Sequence, residues 1–248
     1  MEPVYRGIEI SAAVAARALG TRITYQGLEN IPAHGGAVVA MNHISYIDYL
    51  PAGLATRQRR RRIRYMLKAE ALEHGAVDFI IKHTDCIPVD RTAGAGAYTE
   101  AVRRRRRGQL VGVFPEATIS RSFELKEFKS GAVRMALEAQ VPIVPLILWG
   151  AQRMWTKDHP KNLGRKKIPW MIRGGEPLPP RGTPTELDAA MRASMTEILH
   201  EVQEQYPHPA GAWWVPHRLG GGAPTPEEAR RLDDAELADR ARRAVGRP

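Results

Sequence analysis

The sequence predicts an α/β fold: a largely parallel central sheet flanked by helices, with an N-terminal amphipathic helix ahead of it and a C-terminal helical tail behind. Three observations carry this. Apolar runs of strand length stand near Val38, Tyr65, Ile87, Val111, Ile143 and Met171, and helical apolar patterns stand near Ile47, Val77, Tyr98, Val133 and Met191. Alternation of this kind builds βαβ units and a parallel sheet. The run Gly36 to Ala40 is apolar throughout, as a strand buried on both faces must be. At 248 residues, 43% hydrophobic, the chain can bury one sizeable core.

Taken in order, residues 1–20 place Val4, Ile8, Ile10, Val14 and Leu19 among alanines and charged residues, which predicts an amphipathic helix suited to docking on a membrane. This segment has the pattern of neither a signal peptide nor a membrane span. Residues 21–206 hold the alternating core. From Pro207 to the end, 207–248, the composition shifts to Pro, Gly and Trp. There Thr225-Pro226-Glu227-Glu228 reads as a helix N-terminus, with proline at its first position and acids in its first turn. The tail from Ala229 to Arg243 would be a charged helix. The adjacent Trp213 and Trp214 suit an anchor onto the core or an interfacial membrane contact. There is no internal repeat.

The chemistry concentrates at two strand ends. Asn42-His43-Ile44-Ser45-Tyr46-Ile47-Asp48 follows the first buried run and sets an imidazole and a carboxylate five residues apart. Histidine titrates near neutrality, and a hydrogen-bonded carboxylate fixes its tautomer and stabilises its cation, so the pair suits general-base work. A spacing of five does not align two side chains on a regular helix, so the pair needs an irregular turn. The plainer reading is a loop histidine with Asp48 in a helix's first turn. Val113-Phe114-Pro115-Glu116-Ala117-Thr118-Ile119-Ser120 then brings a carboxylate and hydroxyls to the end of a second run, Leu110-Val111-Gly112. Open α/β sheets bind ligands at such strand ends.

Together these blocks resemble the glycerolipid acyltransferases, specifically the 1-acylglycerol-3-phosphate acyltransferase family, which carries N-H-x4-D followed by F-P-E-G-T-x-S. Ile87-Pro88-Val89-Asp90-Arg91 is similar to the family's second block and Val141-Pro142-Ile143-Val144-Pro145-Leu146 to its fourth. Phe128-Lys129-Ser130-Gly131-Ala132 and Lys68-Ala69-Glu70 also look like family segments. The resemblance covers roughly Thr21 to Glu176. It departs where the family has Gly and Arg and this chain has Ala117 and Ile119, with Arg121 two residues further on.

The resemblance implies transfer of a fatty acyl group from a thioester, acyl-coenzyme A or acyl carrier protein, to the free hydroxyl of 1-acylglycerol-3-phosphate, giving phosphatidate in phospholipid biosynthesis. His43 would be the general base and Asp48 its orienting acid. Arg91 would hold the acceptor's phosphate, with Glu116, Thr118, Arg121 and Lys68 as further phosphate or glycerol contacts. The plainer readings are an ion pair of Arg91 with Asp90 or another acid, capping of the next segment by Glu116 and Thr118, and a solvated pair for Lys68, as for Lys129. A Ser-His-Asp reading with Ser45 as nucleophile lacks the G-x-S-x-G elbow. Glycerol-3-phosphate or another lysophospholipid is the alternative acceptor.

The net charge of +10 points to a polyanionic partner, and Arg57 to Arg64 and Arg103 to Arg107 concentrate it. An anionic leaflet attracts basic segments at about 1 kcal/mol per charge. The expected location is cytoplasmic, peripheral on the inner face of the cell membrane. Of the rival classes, a basic nucleic-acid-binding protein lacks interleaved aromatics and any nucleic-acid motif, and an inactive membrane-bound scaffold would not need His43 and Asp48. Cys86 is the single cysteine, so no disulfide forms within the chain; no metal-ligand spacing or phosphate loop appears, and no cofactor is expected.

Overall fold

A computed structural model describes residues 2–68, 83–89, 100 and 108–245. The helical patterns expected near Val77 and Tyr98, the Arg103 to Arg107 run, and Arg91 lie outside those residues.

Among the described residues, seven strands form one sheet in the order β1-β7-β6-β2-β5-β3-β4. They are β1 (Ile23–Gln26), β2 (Ala37–Met41), β3 (Ile63–Lys68), β4 (Ile87–Val89), β5 (Leu110–Val113), β6 (Ile143–Trp149) and β7 (Trp170–Gly174). All paired neighbours are parallel except β6 and β7, which run antiparallel. Among the described residues, the complete helices are α1 (Pro3–Ala18), α2 (Tyr49–Gln58), α3 (Gly131–Ala139), α4 (Pro184–Gln205) and α5 (Pro226–Val245). β1 is an edge strand absent from the predicted runs, and α2, the helix expected near Ile47, starts at Tyr49 because 44–48 form an irregular turn.

β2 is central and fully buried, and its alternating side chains feed two separate cores. Val38 and Ala40 pack with residues of α3 and α4, including Val133, Met135, Met191 and Leu199. Ala37, Val39 and Met41 point to the opposite face and pack with Ala52 and Ala55 of α2. The chain therefore leaves β2 toward one face, into α2, and reaches α3 after β5 on the other. The divergence opens a crevice above the carboxyl ends of β2 and β5, where such sheets bind ligands.

Two helix starts are fixed by reciprocal caps. Thr183 and Glu186 form a capping box ahead of α4, and Thr225 and Glu228 do the same for α5, with the hydroxyl accepting from the Glu228 amide at 3.2 Å. The segment between them is tied to the body by its aromatics. Trp214 is buried edge-on against Tyr206, and Trp213 stacks on His159 at 3.9 Å and packs against Phe123.

α1 lies along α2. The Tyr5 hydroxyl donates to the Ile63 carbonyl at 2.9 Å, while Ile10 and Val14 stay exposed. The nearby arginine run turns largely inward: Arg64 pairs with Glu2, Arg62 reaches Glu9, and Arg61 donates to the carbonyls of Pro32, Gly35 and Gly108. These residues sit at the amino ends of β3 and β5, the end of the sheet away from His43. Among the described residues, no helix is long and apolar enough to cross a membrane.

Candidate active site

His43 and Glu116 follow directly on the neighbouring parallel strands β2 and β5, whose register pairs Ala40 with Val113. Asn42 extends β2 by side chain rather than backbone: its amide donates to the Leu148 carbonyl at 2.9 Å and its oxygen accepts from the Leu148 amide at 2.7 Å. That pair of hydrogen bonds to β6 releases the following residues from the ladder and lets the chain turn out of the sheet.

The turn closes on Asp48. One carboxylate oxygen, Oδ2, accepts from the amides of Ile44 and Ser45 at 2.7 and 2.8 Å and from His43 Nδ1 at 3.0 Å. Backbone curled around a side-chain acceptor is what joins residues five apart. Asp48 is fully buried, and burial pushes its carboxyl pKa up against the downward pull of His43 and the two amides. With Nδ1 donating to Asp48, Nε2 is the acceptor nitrogen of the imidazole. The ring is one-fifth exposed and stacks on Phe114 at 4.2 Å.

Glu116 locks the two strand ends together. Its Oε1 accepts from the His43 amide at 2.8 Å and its Oε2 from the Lys126 amide at 3.0 Å, and the Ser120 amide donates to the His43 carbonyl at 2.8 Å. Burial raises the Glu116 carboxyl to about 7, against the pull of those amides. Ser45 is wholly buried, with its hydroxyl between the carbonyls of Trp155 and Ala151 at 2.5 and 3.1 Å, so it is a turn-forming group and not an exposed nucleophile.

His43 opens into a cavity of about 200 Å³ lined also by Tyr46, Thr118, Lys126, Lys157 and residues of α5. Thr118 Oγ1 accepts from Lys126 Nζ at 2.6 Å. Arg121, buried, pairs with Asp158 and with Asp233 and Glu236 of α5. Ile119, standing where the resemblance would put an arginine, is buried as a core residue. Ala117, standing where it would put glycine, has φ +60°. Of the other sequence-predicted contacts, Lys68 closes β3 without a described side chain, and Lys129 is exposed. The structure thus gathers His43, Asp48, Glu116, Thr118 and Arg121. Sequence reasoning missed Lys126, Lys157, Asp233 and Glu236, which converge from three distant segments with no shared spacing.

A partly exposed imidazole, oriented by a buried carboxylate and facing a cation-lined cavity, can take a proton from a hydroxyl while anionic groups are held nearby. Comparison with known proteins agrees in sequence and in fold. Residues 22–149 match the family model described as Acyltransferase. The chain is 30% identical over 175 residues to the 1-acyl-sn-glycerol-3-phosphate acyltransferase of Bacillus subtilis, covering 70% of this chain and 82% of that one. It is 27% identical to the protein of the same name from Borreliella burgdorferi, covering 58% of each, and 29% identical to the human alpha form, covering 74% of this chain and 65% of that one. In structure it is similar to the 1-acyl-sn-glycerophosphate (LPA) acyltransferase PlsC of Thermotoga maritima, with a TM-score of 0.68, 22% identity, and 82% and 81% of the two chains covered. The family match spans β1 through β6 and includes both strand ends that build the His43 site, and on that ground the chain belongs to the acyltransferase family.

Proposed function

We propose that this acyltransferase moves a fatty acyl chain from a thioester to the free hydroxyl of 1-acylglycerol-3-phosphate, giving phosphatidate and a free thiol. The observation that carries the reading is the His43–Asp48 pair at 3.0 Å, opening onto a cavity that also holds Lys126 and Lys157. The names of the relatives supply the substrate class.

In the proposed reaction, His43 Nε2 takes the proton of the acceptor hydroxyl as its oxygen attacks the thioester carbonyl. Asp48 holds the ring by Nδ1 and stabilises the imidazolium. The tetrahedral intermediate collapses with cleavage of the carbon–sulfur bond, and the thiolate recovers the proton from the imidazolium. No covalent enzyme intermediate forms. Glu116 acts by position, holding the His43 amide and the Lys126 amide. Arg91 remains a proposed phosphate contact on the resemblance alone.

The test is thiol release from palmitoyl-coenzyme A or palmitoyl carrier protein with 1-acylglycerol-3-phosphate, glycerol-3-phosphate and lysophosphatidylcholine as separate acceptors, the lipid product being identified by mass spectrometry. Phosphatidate from the first acceptor is the expected result. Turnover with glycerol-3-phosphate or lysophosphatidylcholine alone would replace the acceptor assignment.

Docking on an anionic leaflet, on the inner face of the cell membrane, belongs to the same proposal. The exposed Ile10 and Val14 on α1, with Arg17 and Arg57 beside them, are its basis. Unchanged binding of an Ile10→Asp/Val14→Asp variant to phosphatidylglycerol vesicles would remove it.

A further inference from the structure

The cation cluster beside His43 is already filled, by the protein's own C-terminal helix. Asp233 pairs with Arg121, Lys126 and Lys157 together, and Glu236 Oε2 lies 2.9 Å from both Arg121 Nη2 and Lys157 Nζ. The two acids are three apart, so they share one helix face, and that face is turned into the cavity. Around them Arg121 is buried and Lys157 nearly so.

The rest of α5 has little hold on the body. From Pro226 through residue 243 only Ala229 is buried, Asp233 and Glu236 are half-buried, and Leu232 and Leu237 are 46% and 59% exposed, Leu237 at the rim of the cavity. A helix without a buried apolar stripe stays docked through its polar contacts, and elements with few buried apolar contacts open at low free energy. Just upstream, Ala223 is buried and the tryptophans anchor the segment, so the point of release falls at the start of the helix.

Charge identifies what the cluster takes when the helix leaves. Among the described residues, the ion-pair partner then left to Arg121, Lys126 and Lys157 is Asp158, a net charge of +2, with the buried Glu116 carboxyl close to Lys126. A phosphate monoester carries about −1.5 to −2 near neutrality and offers three acceptor oxygens. Fork-shaped and point-charge donors both suit such a group.

We propose that Asp233 and Glu236 are built-in stand-ins for the phosphate of the acceptor, and that Arg121, Lys126 and Lys157 bind a phosphate monoester only once α5 has swung off the cavity. This rests on the proposed acyl transfer for the identity of the ligand, and on the ion-pair geometry for the site. Because a competent state populated only in part weakens apparent affinity by that fraction, the helix sets the acceptor's KM.

The test is the full-length Asp233→Asn/Glu236→Gln variant against wild type, in two arms. In steady-state transfer to 1-acylglycerol-3-phosphate, the variant is expected to show an acceptor KM at least threefold lower with kcat unchanged or higher. In thermal unfolding, inorganic phosphate is expected to raise the Tm of the variant more than that of wild type, a gain that Lys157→Met added to the variant removes. An unchanged or higher KM together with equal phosphate shifts would overturn the proposal. Absence of transfer in both proteins would remove the acceptor assignment, and the phosphate arm would still decide the site.

Discussion

His43 Nδ1 and Asp48 Oδ2 lie 3.0 Å apart although the residues are five apart in sequence, and the same carboxylate oxygen gathers the amides of Ile44 and Ser45. One buried atom therefore shapes the turn and orients the proposed base. These two tasks can be separated by substitution. Asp48→Asn keeps an oxygen for the two amides but not the carboxylate that fixes the imidazole, so kcat is expected to fall on the order of 10³-fold with little change in Tm. Asp48→Ala also strands two buried donors, each costing about 1–3 kcal/mol. A loss of Tm in the alanine variant only, with activity lost in both, checks the division. Equal activity in wild type and Asp48→Asn would contradict it.

Glu116 makes a prediction about pH. Burial raises its carboxyl from an ordinary value of 4.5 to about 7, so between those values the folded protein holds a proton that the unfolded chain releases. Stability then falls as pH rises through that window, by up to roughly 3 kcal/mol from this group, and the contribution is fully present only below pH 4.5. Glu116→Gln cannot ionise. Denaturant unfolding from pH 4.5 to 7.5 is expected to give a steeper decline for wild type than for the glutamine variant, whichever is more stable outright. Parallel curves would mean that Glu116 titrates below the window.

What was legible in the sequence follows the reach of each interaction. The His43 and Glu116 loops were readable because each lies immediately after an apolar run, and parallel strands bring their carboxyl ends to one edge. The short edge strand Ile23–Gln26 has mixed burial and left no such run, and the antiparallel turn of β7 onto β6 leaves no mark on local pattern. Asn42 was legible as part of a motif but not as the bridge that replaces a ladder pair with Leu148. The arginine run around Arg61 read as a polyanion patch, whereas Arg61, Arg62 and Arg64 are turned toward carbonyls and toward Glu2 and Glu9. Asp233 meets Lys126 across 107 positions, and nothing in spacing marks such a pair.

Ala117 carries a backbone strain that the sequence displays only as a departure from the family motif. Its φ of +60° lies in the left-handed region, where a Cβ costs about 1–2 kcal/mol. Glycine removes that cost but gives the unfolded chain more freedom, worth about 0.4–1 kcal/mol in the other direction. Ala117→Gly is therefore expected to be neutral to slightly stabilising, and Ala117→Val, branched at Cβ, clearly destabilising. Chemical denaturation of the three proteins at one pH orders them. A glycine variant less stable than wild type by more than about 1 kcal/mol would contradict the account.

Phe123 joins the tail to the catalytic loop, and its removal tests whether the two are mechanically linked. The ring is 2% exposed, meets Trp149 edge-on at 6.4 Å and Trp213 at 6.3 Å, and its carbonyl accepts from the buried Gln203 amide at 2.9 Å. Two residues earlier in the same turn stands Arg121, which holds α5 through Asp233 and Glu236. Phe123→Ala empties a buried site between two indoles, and a loss of about 3–5 kcal/mol is expected. For a chain of this size that lowers Tm by roughly 10 °C. Because the lost ring also supports Trp213, which anchors the segment leading to α5, amide exchange in residues 226–240 should quicken more than in β2. Equal acceleration in both regions would mean that the helix is held by its ion pairs alone.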